Sequence, residues 1–179
     1  WGWLDLLIGG LIWAGFYIWL ILFANINNSI EIIPVLWIMG VGTIFLLIGS
    51  SSLFLTATNI GVKGALGVMI IGMALFSLGT ILASFLTNLA FLVAIIGEMI
   101  TMIGLLIFAI TNFGERTFGM LFWLPLIMAP IYFISWSVDP GAISFPLENW
   151  TEWLAALYGL GWVLLGIGYY RQIKKSTAV

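Results

Sequence analysis

Six apolar segments of bilayer length constrain the fold of this chain more than any other feature of its sequence. Each runs for about 20 residues, the length that an α-helix needs to cross the hydrocarbon core of a membrane. They cover residues 3–23, 33–55, 64–86, 89–111, 118–138 and 152–170. We therefore predict an all-α, polytopic integral membrane protein, with one domain of six transmembrane helices over residues 1–179.

The composition supports this class and excludes several functions. Of the 179 residues, 63% are hydrophobic and 7% are charged, whereas soluble domains carry about 25% charged residues. Five basic residues are too few for a nucleic-acid footprint. The chain has no cysteine and no histidine, so it lacks thiol nucleophiles and the usual zinc and haem ligands. We expect no metal site, no cofactor and no enzyme activity, because the remaining polar residues form no nucleophile–base pair.

The charged residues divide between the two sides of this topology. All basic residues fall on one side: Lys63, Arg116, Arg171, Lys174 and Lys175. The opposite side holds Glu31, Asp139, Glu148 and Glu152. Two Asn-x-Ser/Thr triplets, at Asn27 and Asn149, also fall there; we favour chance occurrence over glycosylation, because such triplets are common and the first loop lies close to the membrane. Because cytoplasmic loops are enriched in Lys and Arg, we predict that both termini are cytoplasmic.

A short motif recurs after the second and fourth segments. Residues 58–63 read T-N-I-G-V-K, and residues 111–116 read T-N-F-G-E-R. We interpret both as helix C-terminal signals, since Asn and Gly tolerate the left-handed conformation and a cation suits a helix C-terminus. The recurrence suggests three tandem helical hairpins in parallel orientation. Convergent helix-end chemistry in a sequence rich in Gly, Ile and Leu is the alternative.

Glycines recur at seven-residue spacing, which places each pair on one helix face. The pairs are Gly42 and Gly49, Gly72 and Gly79, Gly97 and Gly104, and Gly159 and Gly166. Small residues let membrane helices approach closely, so we predict helix packing at these faces, with a glycine-lined pore as the alternative. We expect the tryptophans deep in the segments to face lipid, and Pro125 and Pro130 to kink the fifth segment.

Glu98 is the only charged residue among residues 91–110. An ionisable group inside a membrane is costly and is by default a hypothesis about function. No Lys or Arg reaches its depth, so we expect a neutral carboxyl hydrogen-bonded to another helix. The polar residues at similar depth are Ser77, Thr80, Thr43, Tyr17 and Tyr132. Glu98 could serve as a structural hydrogen bond, as a proton-, cation- or substrate-linked site, or as a contact to another subunit.

Two functions fit these features. The first is a non-catalytic subunit that stabilises a larger membrane complex through contacts with lipid and with other membrane subunits. The second is a small proton- or cation-linked transporter or channel that uses Glu98, with the proline-containing fifth segment as its moving element. Sequence alone favours the first, because it requires fewer assumptions. A sensory membrane half and an enzyme are less favoured.

Overall fold

A computed structural model describes residues 1–23, 32–85, 88–115, 121–137 and 149–176. These residues form six helices and no strand, which confirms the predicted all-α class. The helices are α1 (Gly2–Phe23), α2 (Ile32–Thr56), α3 (Ile60–Ala83), α4 (Asn88–Glu115), α5 (Leu124–Ser137) and α6 (Trp150–Ser176). All except α5 are long and apolar enough to cross a membrane, so the protein is a multi-pass helical membrane protein.

Helix α5 is shorter than its predicted segment. Its 14 residues span about 21 Å at the rise of an α-helix, whereas a bilayer core is about 30 Å thick. The helix starts at Leu124, so Pro125 lies in its first turn, where the missing N–H costs nothing. The expected kink at Pro125 is therefore wrong, and only Pro130 lies inside the helix.

The helices form a closed ring in chain order. Each helix packs against its neighbours in the chain, and α1 also packs against α6. The most extensive interfaces are α3 with α4 and α1 with α6, whereas α5 has the smallest interfaces, with α4 and α6. Only two residues, 87 and 88, separate the third and fourth predicted segments, which predicts an antiparallel pair, and the contacts of Gly72 with Gly97 and of Gly79 with Ala94 confirm it. Helix α5 is the least tightly held helix.

The same end of the ring carries the basic residues that the structure describes. The Thr56 hydroxyl lies 3.1 Å from the Tyr169 hydroxyl, which brings the end of α2 to the end of α6. Trp3, at the start of α1, has its ring 4.6 Å from that of Tyr170. Lys63, Arg171 and Lys174 therefore share one end. Glu31, Arg116, Asp139, Glu148, the Lys175 side chain and the Asn27 triplet lie outside the described residues.

The two copies of the recurring motif have different local structures. Asn59 is in an extended conformation and is the N-cap of α3, because its Oδ1 accepts hydrogen bonds from the backbone N–H groups of Gly61 and Val62. Asn112 lies inside α4 and its Nδ2 donates to the carbonyl of Phe122, 2.9 Å away. Neither asparagine ends a helix in the left-handed conformation, so that interpretation is wrong, and the motif gives no support to the tandem repeat.

The Asn59 cap yields a stability prediction. Replacing Asn59 by alanine leaves two N–H groups of α3 without their acceptor, and we expect a loss of about 1 kcal/mol in the free energy of unfolding. Unfolding in mixed micelles, followed by tryptophan fluorescence, measures the change. Thr58→Ala is the control, because Thr58 is exposed beside the cap; an equal loss in both variants would contradict the capping role.

The predicted glycines lie where the helices approach most closely. Gly72 and Gly97 face each other across α3 and α4: a Cβ added at either would lie 2.8 Å from the carbonyl oxygen of the other. Gly159 faces Gly10 of α1 in a similar way: a Cβ at Gly159 would lie 2.9 Å from the Gly10 carbonyl oxygen, and a Cβ at Gly10 would lie 2.6 Å from the Gly159 carbonyl oxygen. The other five predicted glycines each lie against a neighbouring helix: Gly42 at Trp13, Gly49 and Gly166 at the first turns of α1, Gly79 at Ala94 and Gly104 at Met69.

Candidate functional site

An aromatic cluster fills the centre of the ring. Trp13 of α1 lies 6.1 Å from Phe76 of α3 and 5.9 Å from Tyr158 of α6, measured between ring centroids. Tyr158 stacks on Tyr132 of α5 at 4.1 Å and meets Trp162 edge-on. Trp13 and Trp162 are buried, so the expectation that deep tryptophans face lipid is wrong for these two. It holds for Trp19, Trp37 and Trp123, which are exposed.

Glu98 reaches this cluster from α4. Its side chain is 3% exposed, and the Tyr132 hydroxyl donates a hydrogen bond to its Oε1. The other oxygen, Oε2, is buried and has no hydrogen-bond partner among the residues that the structure describes. Because nearly all buried polar groups in proteins are paired, an unpaired carboxyl oxygen requires an explanation.

A cavity of about 380 Å³ lies beside this carboxyl. Among the described residues that line it, Glu98 and Thr80 are the only polar ones and none is Lys or Arg; Phe76, Phe91 and Phe133 contribute aromatic rings. Phe91, Met99 and Phe133 line the cavity yet are each more than half exposed. The cavity therefore opens to the lipid-facing surface, and Glu98 is its principal polar group.

A second cleft follows the seam between α4 and α5. It measures about 550 Å³, is lined only by apolar side chains such as Ile103, Leu106 and Leu126, and shares Met99, Met102 and Phe133 with the Glu98 cavity. The small interface between α4 and α5 explains this cleft, because bulky side chains on both helices keep the two backbones apart. A molecule dissolved in the bilayer has an apolar route toward Glu98 along this seam.

The structure brings some of the predicted polar residues to Glu98 and leaves others apart. Tyr132 contacts it, and Thr80 lines the same cavity while its hydroxyl donates to the Phe76 carbonyl. The Ser77 hydroxyl donates to the Met73 carbonyl, and Ser77 is absent from the lining.

The two remaining candidates contact Trp13. Trp13 Nε1 donates to the Thr43 hydroxyl at 3.2 Å, and the Tyr17 ring stacks on the Trp13 ring. Thr43 and Tyr17 therefore lie near the depth that was predicted for them. They contact the aromatic cluster through Trp13, however, and not Glu98.

Several cavity residues escaped the sequence-based prediction because apolar residues are abundant throughout the chain. Phe91, Met99 and Phe133 resemble lipid-facing positions on their helices. The cluster residues carried a usable signal: Tyr158 and Trp162 are four residues apart and so share one face of α6. Two large aromatic side chains with polar tips on one helix face indicate an interior position when the opposite face is aliphatic.

Comparison with protein-family models, curated proteins and solved structures finds no match for this chain. Within the described ranges, no group of three or more acidic side chains could hold a metal ion. The Glu98 cavity is therefore the best candidate for a functional site among the described residues.

Proposed function

We propose that this chain is a small proton-linked membrane carrier that binds a lipophilic molecule at Glu98. One observation carries the proposal: a buried carboxyl with an unpaired oxygen lines a cavity that opens to the bilayer. A carboxyl that served only as an interhelical hydrogen bond would need no cavity beside it. Retaining an ionisable group at this depth is costly, which favours a functional role.

Helix α5 is the element best suited to move. It has the smallest interfaces in the ring and contains Pro130. It also carries Tyr132, which bonds to Glu98, next to Phe133, which lines the cavity. A shift of α5 would therefore change the hydrogen bonding of the carboxyl and the opening of the cavity together, which is the coupling that a carrier requires.

Glu98 is the group that would exchange the proton. A lone carboxylate in an apolar site is unfavourable, so the empty site is neutral and Glu98 carries a proton. The titratable groups that the described residues place around it are tyrosines: Tyr132 bonds to it, and Tyr17 and Tyr158 lie near enough to interact with its charge. A substrate that displaces the proton would leave the charge of the site unchanged.

Proton movement in liposomes tests the carrier function. We would reconstitute the chain in vesicles that enclose a pH-sensitive dye and add three probes of similar shape: tetraphenylphosphonium, tetraphenylborate and triphenylphosphine oxide. We expect at least one probe to move protons faster than in protein-free vesicles, in proportion to the amount of protein. Identical proton movement with and without protein for all three would overturn the carrier proposal.

A non-catalytic complex subunit is the second candidate. The apolar cleft along the α4–α5 seam favours it, because side chains of a partner helix could fill such a cleft. Sequence alone placed this candidate first, and the Glu98 cavity reverses that order. Purification from the native membrane discriminates the carrier from the complex subunit. A partner that copurifies with the chain and protects Leu106 and Leu126 from crosslinking to lipid would support the subunit role.

We also propose that both termini face the cytoplasm, because the described basic residues share one end of the ring. The chain has no cysteine, so single cysteines report sidedness directly. We expect Thr58→Cys to react with a membrane-impermeant maleimide only after the cytoplasmic side is opened. We expect Phe85→Cys, at the opposite end of α3, to react in intact cells; the reverse pattern would contradict the orientation.

A further inference from the structure

We propose that the Glu98 cavity takes a lipophilic organic cation, such as an aromatic quaternary ammonium or phosphonium ion. This inference rests on the proposed carrier function and specifies its substrate class. Three features of the described residues support it: the charge that the site can develop, the aromatic lining, and the route from the bilayer.

The charge of the site points to a cation. Of the lining residues that the structure describes, Glu98 is the only acidic one, and none is basic. With a single titratable carboxyl, the simplest linkage between a proton and a substrate is competition for that carboxyl. A neutral or anionic ligand would not replace the proton, because the remaining carboxylate would be buried without a countercharge. A cation replaces the proton and keeps the site neutral.

The lining suits the apolar body of such a cation. The rings of Phe76, Phe91 and Phe133 surround the space near Glu98, and Met99 and Met102 complete the wall. Aromatic faces attract cations, particularly where water is excluded, and thioethers adapt to irregular ligands. The Tyr132 hydroxyl already donates to Oε1, so it would stabilise the ionised carboxylate once the proton leaves Oε2.

The position of the cavity suits a ligand that partitions into lipid. Its volume of about 380 Å³ lies in the range of small-molecule sites. The α4–α5 cleft adjoins it and is apolar along its length, so a strongly hydrated ion such as Na⁺ would have to shed its water without replacement ligands. A delocalised or alkylated cation loses much less hydration and can follow this route.

Binding calorimetry with matched probes tests the inference on the purified full chain. We expect tetraphenylphosphonium to bind with release of a proton, detected as a dependence of the heat on the ionisation enthalpy of the buffer. Tetraphenylborate has the same shape and the opposite charge, and we expect it to bind at least tenfold more weakly. Triphenylphosphine oxide tests a neutral hydrogen-bond acceptor, which should bind without proton release.

Two variants assign the binding to the cavity. Glu98→Gln should remove the proton release and weaken tetraphenylphosphonium binding at least tenfold. Tyr132→Phe keeps the ring that stacks on Tyr158 and removes the hydroxyl, so it should weaken cation binding about tenfold and weaken triphenylphosphine oxide binding less, because only the cation requires an ionised carboxylate. If Glu98→Gln does not fold, the comparison of the three probes on the unmodified chain still decides the charge preference.

The outcomes separate this inference from the carrier function. If tetraphenylborate or triphenylphosphine oxide bound as tightly as tetraphenylphosphonium, or more tightly, the cation inference would be overturned. The carrier function would still stand if one of these two probes moved protons in liposomes. Proton-releasing cation binding without proton movement in liposomes would overturn the carrier function and support the ligand class.

Discussion

Replacing Gly72 by leucine is expected to prevent stable packing of α3 against α4. A Cβ at this position would lie 2.8 Å from the Gly97 carbonyl oxygen and nearer still to the Thr101 backbone nitrogen. Backbone atoms cannot move aside as a flexible side chain can, so the helices must separate. We expect a loss of about 3 kcal/mol or more in the free energy of unfolding, measured by denaturation in mixed micelles.

Gly64→Leu is the matched control for this prediction. Gly64 lies on the same helix, and a Cβ added there meets nothing within 4 Å. Gly64→Leu therefore changes helix propensity and hydrophobicity as Gly72→Leu does, but it creates no steric conflict with another helix. Similar stability in both variants would contradict the role of the glycine face in holding α3 to α4.

Replacing Glu98 by glutamine is expected to abolish probe-dependent proton movement in liposomes. Glutamine has the same shape and can still accept the Tyr132 hydrogen bond, but it cannot release a proton. We expect proton movement to fall to the level of protein-free vesicles, while the stability changes by about 1 kcal/mol or less, as for other neutral interhelical hydrogen bonds.

Glu152→Gln controls for the removal of a carboxyl elsewhere. Glu152 lies in the first turn of α6, where its Oε2 accepts a hydrogen bond from the Thr151 hydroxyl, and it is absent from the cavity lining. We expect this variant to retain proton movement. Normal proton movement in Glu98→Gln, or an equal loss in both variants, would contradict the assignment of the proton to Glu98.

The sequence predicted those parts of the fold that follow from the bilayer itself. Five helices match their predicted segments, because hydrocarbon requires long runs of apolar residues with internally satisfied backbones. The α3–α4 hairpin followed from the short connection between its segments. The fifth segment was predicted too long, since hydropathy does not register that Pro125 favours a helix start at Leu124.

The candidate site was only partly predictable. Glu98 stands out as a lone charge, and its depth suggested Tyr132 as one of five partners. Depth alone could not separate Tyr132 from Ser77 or Thr43, because the choice depends on helix rotation, and rotation depends on packing between helices that are distant in sequence. The cavity could not be predicted at all, since it lies where side chains of α2, α3, α4 and α5 leave space between them, and that space depends on how the helices pack.

Labelling with dicyclohexylcarbodiimide tests the central claim most directly. This apolar reagent reacts with protonated carboxyls that it can reach from the bilayer. Asp5 and Glu152 serve as internal references, because they lie in the first turns of α1 and α6, near the helix ends. We predict that mass spectrometry of the chain labelled in native membranes will find the adduct on Glu98 and that tetraphenylphosphonium will suppress it. An unlabelled Glu98, under conditions that modify Asp5 or Glu152, would contradict a neutral carboxyl in a cavity open to lipid.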